Sequence, residues 1–284
     1  MVTLPPMEVS ARIAKLGGTL TVAERRVAQV VLDRPQLVAF GTVAELASES
    51  DAGAATVVRL ASKLQFDGFT ALQASVQHDL AVQLRPAAER IREPASDDLI
   101  GRHLQLEMTN IQASLRAIDT DALDDVVGHL VDGGSRVLVL SGDATRGVAS
   151  QLAGDLGALR DDVTMLEGTD IAVKRQLALL RPTDVLIALD LRRYERWVVE
   201  AAIRAHSAGV WSVAITDSLL SPLAQRAERT FVVSAGGAGP FDSHVGTLAI
   251  CNVLVAAVAD RMRATATERL DRLEAEWQQS FTDG

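Results

Sequence analysis

The spacing of apolar positions changes character near residue 136. Before it, apolar residues recur at helical intervals; after it, they gather in short β-branched runs separated by helical stretches. Val27, Val30 and Val31 share one face of a segment from Val22 to Asp33, and Pro35 stops that helix by disfavouring helical backbone at Arg34. In the stretch AATVVRLASKL, Val57, Leu60, Ala61 and Leu64 fall at i, i+3, i+4 and i+7 and form a core face. Thr56, Arg59 and Lys63 take a different side of the same helix, so its polar groups also share a face.

Capping chemistry marks where two helices begin. Thr21 with Glu24, and Thr42 with Glu45, both have the spacing of a capping box, in which hydroxyl and carboxylate satisfy free amides of the first turn. The second box opens a short helix, VAELASES, followed by the break Asp51-Ala52-Gly53 and then the helix with one buried and one basic face. That succession predicts a helix-turn-helix. Phe66 to Phe69 turns the chain into a further helix, Thr70 to Leu84. Pro86, Pro94 and the polar EPASDD run read as a linker leading to a helical segment from Leu99 to Ala117.

Five apolar runs follow, at 136–140, 163–166, 184–189, 210–216 and 230–234. Their alternation with helical stretches predicts a doubly wound parallel sheet, in which ligands bind where loops converge at the carboxyl ends of the strands. The loops to consider are 141–147, 190–196, 216–218 and 235–246. The tail from Thr265 to Phe281 places Leu270, Leu273, Trp277 and Phe281 at helical spacing and reads as a packing helix. The expected plan is a helix-turn-helix domain over 1–84, a linker and connecting helix over 85–117, an α/β domain over 118–263 and a packing helix over 264–284.

Composition agrees with two domains: 284 residues, 48% of them hydrophobic, suffice for two cores. Residues 1–90 carry 9 basic and 9 acidic side chains, so the net charge of −9 lies entirely in the remainder. A neutral DNA-reading domain on an acidic body fits that division, although bulk charge alone does not indicate nucleic acid. The one cysteine, Cys251, sits in an apolar run and reads as a buried thiol in a reducing, cytoplasmic setting. The opening residues do not read as a signal peptide. The longest apolar stretch, Gly246 to Ala259, carries Asn252 and falls short of the ~20 residues of a membrane span, so no membrane partner is expected.

The stretch LTVAERRVAQVVLDRPQLVAFGTVAELASES with the following ATVVRLASKLQFDGF, from Leu20 to Phe69, resembles the RpiR family of transcriptional regulators, which join a helix-turn-helix domain to a SIS (sugar isomerase) domain. Further along, strand order, AITDSLLSPLAQRAE and the FDS before the long apolar helix are similar to the SIS half. The resemblance implies an all-α N-terminal domain and a five-stranded, flavodoxin-like α/β domain. It implies an operator in double-stranded DNA and a small-molecule effector as partners, in a homodimer or homotetramer, with no cofactor.

The chain departs from the family pattern at Asp51 and Gly53 in the turn, where glycine and a serine cap are usual. It departs again in the SIS loops. The first reads Ser141-Gly142-Asp143-Ala144-Thr145 and keeps a hydroxyl only at Thr145 in place of the usual serine; the second, Asp190-Leu191-Arg192-Arg193-Tyr194-Glu195, has lost its serines.

Candidate DNA contacts are Thr42, Gly53, Ala54, Ala55, Thr56, Arg59 and Lys63: the start of the recognition helix would reach base edges, with the cations on a base or phosphates. Candidate effector contacts are Ser141, Gly142, Asp143, Thr145, Asp190, Arg192, Arg193, Ser243 and His244. Arg192 and Arg193 form a potential clamp for an anionic group, such as a sugar phosphate or sugar acid, unless Asp143, Asp190 and Glu195 neutralise them. The five histidines lack metal-ligand spacing, so no metal is expected, and GGAG is too short for a dinucleotide fingerprint. Two alternatives remain: a sugar-phosphate isomerase using Glu167, Glu195 or His244, and a regulator whose SIS domain serves only assembly.

Overall fold

The computed structural model describes residues 9–16, 19–84, 87–92, 98–219 and 221–281. They fall into two compact units, one built from the chain up to Glu89 and the other from Arg90–Asp217 and Ser221–Gly284.

The first unit is helical, with α1 (Val9–Leu16), α2 (Val22–Asp33), α3 (Pro35–Phe40), α4 (Val43–Glu49), α5 (Ala54–Lys63) and α6 (Gly68–Leu84). Its core joins Val27 and Val31 of α2, Val38 of α3, Leu46 of α4, Val57, Leu60 and Ala61 of α5 and Leu72 of α6. Both capping boxes form: Thr21 and Thr42 each accept from the amide three residues on, and Glu24 and Glu45 each accept from the cap amide. Pro35 ends α2 as expected but also occupies the first turn of α3, a position that needs no amide hydrogen. That helix had no signal in the apolar spacing.

Between α4 and α5, Asp51 adopts a left-handed φ of 45°. The Asp51 and Ala52 amides donate back to the carbonyls of Ser48 and Ala47, a Schellman closure in which aspartate takes the place glycine usually holds. Gly53 follows in extended backbone as the cap of α5 and makes no side-chain bond.

In the second unit, α7 (Ala87–Arg90) ends and α8 (Leu99–Arg116) and α9 (Thr120–Leu130) precede β1 (Val137–Ser141). The predicted linker lies largely at residues 93–97, outside the described residues. There follow α10 (Arg146–Leu159), β2 (Val163–Met165), α11 (Asp170–Ala178), β3 (Val185–Leu189), α12 (Arg196–Ser207), β4 (Trp211–Thr216), β5 (Arg229–Val232), α13 (Val245–Arg261) and α14 (Arg263–Phe281). The five strands are all parallel in the order β2-β1-β3-β4-β5.

Every residue of β1 and β3 is buried, because successive side chains enter two different helix layers. Val137 and Val139 pack with α9, α10 and α13, whereas Leu138 and Leu140 pack with α11 and α12. This two-sided burial produces continuous apolar runs in place of alternation. Cys251 lies in the first layer, and burial pushes its thiol up to about 12. Among the described residues no single helix is long and apolar enough to cross a membrane.

Candidate DNA interface and strand-end crevice

α5 buries Val57, Leu60 and Ala61 and exposes Ala54, Ala55, Val58, Arg59, Ser62 and Lys63. The exposed positions i, i+1, i+4, i+5 and i+8 lie on one face of the helix. Two expected contacts have partners within the domain. Thr56 is only 7% exposed, and its hydroxyl accepts from Arg59 Nη2 at 3.1 Å, so it orients Arg59 from below. Lys63 is tied to Glu24 Oε2 at 2.7 Å, and this bond, with the Thr21 amide, lowers the Glu24 carboxyl to about 2.

Thr42 is exposed, but its amide and hydroxyl both donate to Glu45 Oε2, at 2.7 and 2.9 Å. The capping box thus consumes the groups that would face a phosphate. Gly53, Ala54, Ala55 and Arg59 remain on the surface as expected. Val58, 42% exposed, and Ser62 join them without having been singled out by sequence; an apolar residue between two polar ones breaks the polar-face pattern that sequence reading follows. An exposed aliphatic group beside Arg59 offers a surface for a thymine methyl next to a guanine contact.

The strand order reverses between β1 and β3, so the crevice of the sheet opens at their carboxyl ends. The loops meeting there carry Ser141 to Thr145 and Asp190 to Glu195. Asp190, 2% exposed, accepts from the Leu191 amide at 2.9 Å and the Glu195 amide at 2.8 Å. Burial, reinforced by Glu195 and Asp217, pushes its carboxyl up to about 6 against those two bonds. Gly142 lies so close beneath it that a Cβ would stand 2.6 Å from Asp190 Oδ1.

Glu195 crosses the crevice to accept from the Asp143 amide, and its other oxygen accepts from Trp197 Nε1 at 2.7 Å. Arg192 takes a left-handed φ of 58°, and its amide reaches Asp217 Oδ1 at 2.9 Å. Tyr194 donates to the same oxygen at 2.8 Å, and its own burial, with the Asp217 charge, raises its phenol well above the usual range. The Thr145 hydroxyl is fully buried and bonds the carbonyls of Gly142 and Leu189. Ser141 is buried at the strand end.

The Arg192 guanidinium stands 3.3 Å from Asp242, which also holds Arg90 at 2.7 Å. Arg193 is exposed. Ser243 donates to Glu107 of α8 at 2.5 Å, and neighbouring His244 caps α13 with a buried Nδ1 that has no hydrogen-bond partner. Burial lowers the His244 pKa, opposed by the Asp242 charge. Ser141 to Thr145 and Asp190 to Glu195 thus share one crevice, whereas Ser243 is bonded to α8.

Residues 7–83 match the model of the helix-turn-helix domain of the rpiR family, and residues 134–257 that of the SIS domain. An uncharacterized HTH-type transcriptional regulator of Haemophilus influenzae is 28% identical over 226 residues, spanning 78% of each chain. The sugar isomerase domain of an RpiR transcription factor from Sphaerobacter thermophilus is 30% identical, with a TM-score of 0.59 over 63% of this chain and 99% of that one. The Vibrio vulnificus NanR protein complexed with ManNAc-6P has the same fold across 97% of this chain and 100% of its own, with a TM-score of 0.58 at 20% identity. With the turn and exposed face of α5 on one unit, and a five-stranded parallel sheet in SIS order on the other, this chain belongs to the RpiR family of helix-turn-helix transcriptional regulators.

Proposed function

We propose that the exposed face of α5 reads an operator in double-stranded DNA, and that the strand-end crevice of the SIS domain binds a small sugar-like metabolite that changes operator affinity. The carrying observation is that face: Ala54, Ala55, Val58, Arg59 and Ser62 stand outward on a helix anchored by its opposite side. Small residues at its N-terminal end let the backbone approach base edges, and Arg59 supplies the cation. Pairing two copies, as a homodimer or homotetramer in the cytoplasm, would present two such helices to paired half-sites. The NanR complex with ManNAc-6P supports a sugar derivative as effector class.

An anionic effector gripped by Arg192 would have to draw that side chain from Asp242, so the charge of the ligand is taken up separately below. We read the chain as a regulator and not an isomerase. Glu195, one of the acids of the crevice and a candidate base, is held by a backbone amide and an indole and is not free to move a proton.

Fluorescence anisotropy with DNA flanking the chain's own coding region, at several salt concentrations, tests the reading. Sequence-selective binding that a sugar or sugar derivative strengthens or weakens is the expected result. Binding that does not discriminate between sequences at any salt overturns it.

A further inference from the structure

We propose that Asp190 and Glu195 are specificity residues that keep phosphate esters out of the strand-end crevice, so that the effector is a sugar or polyol without a phosphate group. This rests on the reading of the crevice as the effector site.

An anion at the carboxyl end of a parallel sheet is held by free amides of the loops and helix starts that converge there. In this chain four such amides are already taken, and each by a carboxylate. Glu195 accepts from Asp143, Asp190 from both Leu191 and Glu195, and Asp217 from Arg192. Two hydroxyl donors at this end of the sheet are used as well: Tyr194 bonds Asp217, and Thr145 bonds the carbonyl of Gly142 in its own loop and that of Leu189 at the end of β3. The chain's own carboxylates therefore sit on four of the backbone donors that an anion at this end of the sheet would use.

Two of the nearby cations are already engaged by acids. Arg146 is paired with Asp143 at 2.7 Å, and Arg192 faces Asp242. A phosphate dianion entering here would meet Asp190, Glu195 and Asp217 together, and Asp190 and Asp217 are largely shielded from water, where like charges repel most strongly. A polyol meets the opposite situation, since carboxylate oxygens accept hydrogen bonds from its hydroxyls.

The test uses the full chain, and titrates inorganic phosphate, hexose 6-phosphates and the parent hexoses and amino hexoses by calorimetry. Asp190→Asn and Glu195→Gln, singly and together, remove charge and keep an acceptor oxygen at each position. The wild type is expected to give no saturable heat with inorganic phosphate or the phosphate esters. The double variant is expected to gain affinity for inorganic phosphate by roughly tenfold or more, as loss of buried like charge should allow.

Saturable binding of a hexose phosphate to the wild type, competed by inorganic phosphate and no tighter in the variants, overturns the proposal. So does a folded double variant that still ignores phosphate. Operator binding and circular dichroism report folding, and Glu195→Gln at the rim provides a second test should the buried substitution unfold the domain. A parent sugar that binds without altering operator affinity would remove the crevice's regulatory role while leaving its charge selection intact. A phosphate ester that binds the wild type and alters operator affinity would do the reverse.

Discussion

Lys63, on the last turn of α5, donates to Glu24 Oε2 at 2.7 Å, and the same oxygen accepts from the Thr21 amide at 2.9 Å. One carboxylate thereby closes the capping box of α2 and ties the end of α5 to the start of α2. Glu24 is buried, so the pair joins the two helices from inside the domain. A lysine that the sequence places on the polar face of α5 thus also holds a buried carboxylate of α2.

Arg59 and Lys63 should therefore respond differently to the same experiment. Arg59→Ala is expected to weaken operator binding by about 1–3 kcal/mol and to lower the salt slope by about one ion. Lys63→Ala is expected to leave that slope unchanged and to lower urea stability by about 1–2 kcal/mol, since it strands a buried carboxylate. Parallel anisotropy titrations and urea unfolding of both variants check this; equal salt slopes for the two would contradict it.

The two domains should respond in opposite ways to acid. Glu24 is lowered from 4.5 to about 2, so the stability it contributes is complete above pH 4.5 and is lost as pH falls towards 2. Asp190 is raised from 3.8 to about 6, so its ionised form burdens the fold above pH 6 and the burden lifts as pH falls from 6 towards 3.8. Thermal unfolding of wild type and Asp190→Asn between pH 7 and 4 should show the wild type gaining relative to the variant as pH drops. A constant difference would show that Asp190 does not titrate in this range.

Arg136 holds Asp184 through Nε at 2.9 Å and Nη2 at 2.5 Å, and the Arg181 amide adds a third bond at 2.7 Å. Asp184 is 1% exposed; burial pushes its pKa up, but Arg136 and the amide bring it below the ordinary value. Arg136→Met should cost about 3–5 kcal/mol by leaving that charge buried and unpaired. Adding Asp184→Asn should recover part of the loss in denaturant unfolding, which a simple packing defect at Arg136 would not permit.

Gln65 closes α5 with φ 63°, and its amide and that of Phe66 donate to Ser62 and Ala61. Gln65→Gly should stabilise the helical domain by about 0.5–1 kcal/mol by relieving a left-handed side chain. Asp51→Gly should bring less, because Asp51 also pairs with Arg26 at 2.5 Å. Midpoints of urea unfolding for the two variants give the comparison.

Much of the fold was legible locally. The Thr21 and Thr42 capping boxes, the Val57 to Leu64 stripe and the strand runs each depend on neighbours within a few residues, and α2 and α4 begin where the boxes put them. Pro35 was legible as a stop and illegible as a start, because the same fixed φ serves both. Of the candidate DNA face, Ala54, Ala55 and Arg59 were found by pattern. Val58 was hidden among apolar core neighbours, and Thr56 was placed outward because helical spacing alone does not say where burial ends.

What the sequence determined by itself was most of the elements and the family to which they add up. Capping, periodicity and β-branched runs are short-range properties, and a match from Leu20 to Phe69 needs no coordinates. Tertiary structure alone decided which charges are occupied. Lys63 meets Glu24 across 39 residues and Glu195 meets the Asp143 amide across 52, once the parallel register has brought the two loops together. Opposite charges in a sequence form pairs only where packing brings them within hydrogen-bond reach, so the crevice of arginines and acids acquired its acidic character from the sheet.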